Sequence, residues 1–337
     1  TIDTWIVWNL TGGVYVTDVT NAGRTMLMDI TACSWDDFML SALGIPRHAL
    51  PEIRSSSEVF GKLAENCGPL AGLPVSGILG DQQSALVGQS CFSVGEAKST
   101  YGTGGFLIVN TGSEIVRSRN GLLTTPAYQF GPNAPVVYSL EGSIAIAGAV
   151  VTWLRDNLGI ISRASEVEAL ASSVDTTGDV VFVPAFSGLF APRWDQSARG
   201  TLVGMTQYTT KAHIARAALF GVAFQVADVL AAAEQDLGHP LQTLRCDGGA
   251  SVNNLLMQMQ ADLIDAPVHR PKVVETTALG AAFAAGHAVG LFEDIKSFQA
   301  NWELEREFKR SISDEQRAAV RCKWEKAIEK SRGWETA

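Results

Sequence analysis

Apolar side chains recur along this chain at two spacings, one helical and one extended, and the two alternate. Ile2, Trp5, Ile6 and Leu10 lie at helical spacing and stop at Gly12-Gly13, which predicts a helix and then a polar, Thr- and Asn-rich loop through Asn21. Ser34 stands before Trp35, Phe38, Met39 and Leu43, with Asp37 three residues on and Gly44 after the last apolar position, so a second helix capped by Ser34 is expected. Residues 75–79 form a short apolar run ending at Gly80-Asp81, and residues 82–89 continue in helical order, so a strand hands over to a helix there. Residues 98–110 and 136–140 are β-like, with Asn120-Gly121 and Pro132-Asn133 as turns between strands. Residues 144–158 read as helix, 180–183 as an apolar strand leading through Pro184 into an aromatic-rich loop, and 210–237 as a long helix. Leu244-Arg245-Cys246 enters the turn Asp247-Gly248-Gly249, and helix resumes over 253–264. Ser313 with Gln316 makes a capping box for a last helix, whose stripe of Val320, Trp324, Ala327 and Ile328 predicts packing across the second half.

Alternating strands and helices over 337 residues exceed one ordinary core, and two α/β lobes are expected. The net charge of −9 and the dispersed Lys and Arg argue against nucleic acid or an anionic membrane as partner, which leaves a small-molecule substrate. Cys33, Cys67, Cys91, Cys246 and Cys322 show no CxxC pair and the five histidines no ligand spacing, so a reducing cytosol and no metal cage are expected. The stretch 277–292 is shorter than the ~20 residues a membrane span needs and holds His287, so it reads as a buried, closely packed helix, with no membrane segment expected. Thr1 is not methionine and nothing after it resembles a signal peptide, so the chain reads as starting inside a domain.

Three glycine-bearing turns carry the candidate chemistry: Gly80-Asp81-Gln82-Gln83, Tyr101-Gly102-Thr103-Gly104-Gly105 and Asp247-Gly248-Gly249-Ala250. Glycine lets backbone approach a bulky anion, and a helix starting after such a turn offers free N–H groups and a positive dipole end. Asp81, at a strand end, is the candidate general base for phosphoryl transfer to an alcohol; from local sequence it serves equally as a helix cap. Gln82 can exchange hydrogen bonds with a polyol or stand in solvent. Thr103 can donate to a phosphate oxygen, while the same turn can be a simple hairpin with Phe106 in the core. Gly249 and Asn253 suit a ribose or phosphates, and Gly148 either admits an adenosine against a helix or serves close helix packing.

Taken in order, Thr1-Ile2-Asp3-Thr4-Trp5, Arg24-Thr25-Met26-Leu27, Gly80-Asp81-Gln82-Gln83, residues 100–106, Glu141-Gly142-Ser143, Trp153-Leu154-Arg155-Asp156, residues 247–254 and Glu275-Thr276-Thr277-Ala278-Leu279-Gly280 resemble the FGGY family of carbohydrate kinases almost end to end. The resemblance implies an actin-like ATPase fold of two ribonuclease-H-like lobes with the cleft between them. It places residues 1–89 in the N-terminal lobe, ending at the catalytic aspartate, and 90–337 in the nucleotide-binding lobe. It implies ATP-dependent phosphorylation of glycerol in the cytoplasm, with another polyol or a pentulose as the alternative, and leaves a homo-oligomer open. Asp81 is implied as base and substrate ligand, Gln82 as a second ligand, and Phe106 as an apolar wall. Thr103, Gly148, Thr152, Gly249 and Asn253 are implied to contact the nucleotide, with Mg2+ arriving on its phosphates. The family's Asp-Gly-Thr hairpin and Arg-Glu pair are not in this sequence, so an incomplete first lobe is expected, with uncovered apolar surface and impaired turnover or at most nucleotide binding. Phe220 and Ala227 stand where the family carries an acid and a base; seven residues apart on one helix face, they are expected to replace a charged pair as a unit.

Overall fold

The computed structural model describes residues 1–335. The N-terminal portion contains α1 (Ile2–Thr11), β1 (Val16–Asp18), α2 (Val19–Ala22), β2 (Met28–Asp29), β3 (Ser34–Trp35), α3 (Asp37–Leu43), β4 (Glu52–Arg54), β5 (Ser57–Lys62), β6 (Pro74–Gly77) and α4 (Asp81–Gly88). Its strands form two-stranded pieces: β1 parallel to β4, β2 antiparallel to β3, β5 antiparallel to β6. The first helix ends where Gly12 adopts φ 75, as its glycine stop predicts. Ile2, Trp5, Ile6 and Trp8 of α1 are exposed.

Two expected boundaries move. Ser34 does not cap a helix: it pairs with Asp29 in β3, Trp35 is buried and donates Nε1–H to the Pro51 carbonyl, and Asp36 caps α3 by accepting from the Met39 amide at 2.9 Å. The predicted helix at residue 144 begins instead at Gly148, because Ser143 and Ile144 are held in a strand by pairing with Phe106 and Gly105.

The second portion is built on one mixed sheet of β7 (Glu96–Tyr101), β8 (Gly105–Gly112), β9 (Leu123–Tyr128), β10 (Val137–Ile144), β13 (Thr243–Asp247), β14 (Val268–Pro271) and β15 (Leu304–Phe308), with β11 (Val181–Val183) and β12 (Thr201–Val203) paired apart. The order is β15-β14-β13-β7-β8-β10-β9, with β13 parallel to both neighbours and the other pairs antiparallel. Around it stand α5 (Gly148–Asp156), α6 (Glu166–Ser172), α7 (Lys211–Leu237), α8 (Asn254–Leu263), α9 (Thr276–Ala288), α10 (Ile295–Gln299) and α11 (Asp314–Ser331). The capping box of Ser313 and Gln316 starts α11, and Trp324, Ala327 and Ile328 are buried from it while Trp324 stacks on Phe224 of α7 at 4.9 Å.

Helix α7 has 27 residues and a mean hydropathy of 1.6 over its most apolar window, so it is long and apolar enough to cross a membrane by length and composition. In this fold 72% of that apolar window is buried, and α7 is the core helix of the second portion. Phe220 packs on Phe224 at 4.7 Å beside one cavity, and Ala227 borders another with Arg321.

Candidate active site

Strands β7 and β13 run parallel with Thr100 opposite Asp247, so both carboxyl ends, and the two glycine turns after them, lie at one edge of the sheet. Ligands in open α/β sheets bind beyond such strand ends. The turn after β7 is knitted backbone to backbone to itself and to the chain at residues 147–148: Gly102 N–H donates to the Gly104 carbonyl at 2.9 Å, Gly148 N–H to the Gly102 carbonyl at 2.8 Å, and Ala147 N–H to the Thr103 carbonyl at 2.8 Å. A Cβ on Gly148 would stand 2.7 Å from the Gly102 oxygen, and one on Gly248, which adopts φ 83, would stand 2.7 Å from the Tyr101 oxygen. These two glycines serve close backbone packing. A Cβ on Gly249 meets nothing within 4 Å, so its bare face is open.

Beside these turns lies a cavity of about 510 Å³ whose walls include Thr103, Gly148, Thr152, Gly249 and Asn253. All five residues expected around a nucleotide are therefore brought together, with Val151, Val167, Leu219 and Val222 among the apolar walls and Glu168 among the polar ones. Asn253 also has a structural task, since its Oδ1 accepts from the Leu256 amide at 2.9 Å and caps α8.

Asp81 is the first residue of α4 and is exposed. Gly80 occupies the cap position, so Asp81 is not the helix cap. Its Oδ1 accepts from the Gln82 backbone N–H at 2.8 Å and its Oδ2 from Gln82 Nε2 at 3.3 Å. The turn is anchored from below by a relay that sequence reading missed: Gly80 N–H donates to Thr20 Oγ1 at 2.8 Å, Thr20 donates to Asp18, and Asp18 also accepts from Ser56 Oγ at 2.7 Å. Burial raises the Asp18 pKa, opposed by these donors. Its signal was only an Asp ahead of a short Val-Thr-Asn segment, where it caps α2.

Strand register sets the charged floor beneath Asp81. Lys98, Ile108 and Glu141 are opposite one another across β7, β8 and β10, and Thr100, Phe106 and Ser143 form the next row on the same face. Phe106 is 39% exposed there, available as an apolar wall rather than spent in the core. Glu141 is buried and takes a bidentate pair from Arg24, at 2.5 and 3.0 Å. Asp247 is buried, and its Oδ2 accepts from Thr276 Oγ1 at 2.6 Å and Gln89 Nε2 at 2.8 Å. Lys98 is fully buried, and sequence reading passed over it because a single charge in a strand pattern carries no local signal.

This arrangement, a mixed-sheet lobe with a cavity at its strand ends and a carboxylate at the start of α4, tied to β7 through Gln82 and Lys98, defines an actin-like kinase fold. The chain belongs to the FGGY family of carbohydrate kinases: the family's N-terminal domain model matches residues 1–88 and its C-terminal domain model residues 97–289. A glycerol kinase from Rhizorhabdus wittichii is 56% identical over 99% of this chain and 66% of its own length, and one from Acidiphilium cryptum is 54% identical over 99% and 67%. The crystal structure of Plasmodium falciparum glycerol kinase with ADP superposes with a TM-score of 0.93 at 42% identity, covering 98% of this chain and 66% of that one. A xylulose kinase from Lactobacillus acidophilus shares the fold at a TM-score of 0.83 and 22% identity, covering 97% and 66%. The chain thus spans about two thirds of the length of these relatives.

Proposed function

We propose that this protein transfers the γ-phosphoryl group of ATP to a terminal hydroxyl of glycerol, giving sn-glycerol 3-phosphate and ADP. The observation that carries the reading is the pairing of Asp81 and Gln82 at the start of α4 with the cavity bounded by Thr103, Gly148, Thr152, Gly249 and Asn253. Similarity to glycerol kinases at 54–56% identity supports glycerol as the substrate. Residues 1–89 supply the base and its supports, and 90–337 supply the nucleotide cradle.

In this reading Asp81 accepts the proton of the reacting hydroxyl as it attacks phosphorus. Gln82 hydrogen-bonds a neighbouring hydroxyl, and Phe106 covers the carbon face and excludes water. Thr103 donates to a phosphate oxygen, Gly249 lets the nucleotide approach the backbone, and Gly148, Thr152 and Asn253 bound its remainder. Among the described residues no group of three or more His, Cys, Asp or Glu could hold a metal. The two carboxylates near the strand ends, Asp81 and Asp247, fit a cation carried mainly by phosphates and water. Mg2+ held in that way would supply neutralisation of the charge that builds on the transferred group. The five free thiols favour a reducing cytosol as the compartment.

A coupled ADP-release assay over glycerol, other polyols and pentuloses tests the substrate. Glycerol is expected to give the highest kcat/KM; a pentulose turned over faster would overturn the assignment.

A further inference from the structure

A buried ammonium is costly unless it is paired, and an apolar side chain fills such a place without that cost. Lys98 therefore calls for a reason. It is wholly inaccessible to solvent, so it cannot touch a ligand in the cleft. Its Nζ donates to two acceptors, Gln82 Oε1 and Thr100 Oγ1, the latter at 2.9 Å. Asp247, Glu141, Asp81 and Cys91 face it electrostatically, while Arg245, its partner in strand register, turns away to Glu96 and the Gln89 carbonyl. Burial lowers the Lys98 pKa, and the surrounding carboxylates pull it back up.

A primary amide can face a neighbour with its oxygen or its nitrogen, and only the hydrogen-bond network decides which. Facing Lys98, the Gln82 amide must present its oxygen, because an ammonium only donates. Its nitrogen is then turned to Asp81 Oδ2 at 3.3 Å. We propose that Lys98 is a positioning residue that fixes the polarity of the Gln82 amide, so that the site offers a substrate one acceptor, Asp81, beside one donor, Gln82. The inference rests on the reading of Asp81 and Gln82 as polyol ligands. A donor beside an acceptor matches a vicinal diol: the reacting hydroxyl donates to the carboxylate while its neighbour accepts from the amide.

A double-mutant cycle on the full chain separates this from a merely structural role. Lys98→Met, Gln82→Met and the double variant are titrated calorimetrically with glycerol and, separately, with ADP. Lys98→Met is expected to weaken glycerol about tenfold, the scale of one lost hydrogen bond, with the ADP affinity unchanged. The double variant is expected to bind glycerol no more weakly than Gln82→Met alone, because Lys98 acts only through that amide. Losses that multiply, or a folded Lys98→Met with wild-type glycerol affinity, overturn the proposal. Should Lys98→Met fail to fold, Thr100→Val, which removes the other acceptor of the ammonium and leaves its bond to Gln82, is expected to keep glycerol affinity near that of wild type, and a tenfold loss there overturns the proposal. Failure of wild type to bind glycerol sinks the substrate reading instead. In that case the side-chain amide resonances of Gln82, read without ligand, are expected to shift in Lys98→Met, and unchanged resonances overturn the positioning role.

Discussion

Gly148 and Gly249 border one cavity for different physical reasons. The missing side chain of Gly148 is what lets the Gly102 carbonyl sit 2.7 Å from where a Cβ would be, whereas Gly249 has open space on that side. Gly148→Ala is therefore expected to destabilise the fold by about 2 kcal/mol, an overpacking cost against backbone that cannot swing aside. Gly249→Ala should leave the melting temperature unchanged and weaken ADP binding, since its methyl projects into ligand space. Thermal unfolding and calorimetry on both variants check the pair; a destabilised Gly249→Ala with intact ADP affinity would reverse the assignment. Gly148 was legible in the sequence only as an ambiguity, because its partner, Gly102, lies on another element. Asp81 was legible because strand, glycine and acid stand together in one short run. Lys98 was not: its burial comes from the pairing of β7 with β13, far along the chain, and the packing of α4, which no local window contains.

At the scale of elements, α4 and α9 carry the junction between the two portions. They meet at paired glycines: a Cβ on Gly88 would stand 1.9 Å from the Thr276 oxygen, and one on Gly280 would stand 1.9 Å from the Ser84 oxygen. Ser84 Oγ also donates to the Thr277 carbonyl at 2.6 Å, and Ser57 Oγ to the Ala284 carbonyl at 2.7 Å. Backbones this close leave no room for a methyl, so Gly280→Ala is expected to cost more than about 3 kcal/mol, read as a large drop in denaturant midpoint. A midpoint within experimental error of wild type would mean that the helices can separate freely. The small residues of 277–292 pointed to such close packing beforehand, since helical spacing with Gly and Ala needs no knowledge of the partner. Strand ends and caps were less legible. Ser34 looks like a cap in one dimension, but the pairing of β2 with β3 and the burial of Trp35 pull the chain into a hairpin and move the cap to Asp36.

The whole molecule joins a small, piecemeal N-terminal portion to a seven-stranded lobe, and the site borrows from both. Asp18, Thr20 and Ser56 fix the Gly80 turn from the N-terminal side, while Lys98 and Thr100 reach the same turn through Gln82 from the sheet. Arg24 and Glu141 add a bidentate ion pair across the same junction. The carboxylate at position 81 is thus held from two directions, as a base in phosphoryl transfer has to be. The two-lobed class was legible from length, alternating elements and glycine turns, whereas the relay beneath Gly80 emerges only once residues far apart in the chain are folded together. The account turns on Asp81 as the base, and steady-state glycerol phosphorylation by Asp81→Asn is its most direct test. Because Asn keeps the size and hydrogen-bonding shape but cannot take the proton, kcat is expected to fall by about 10²–10⁴, with the melting temperature and ADP affinity unchanged. A wild-type rate in that variant would contradict it.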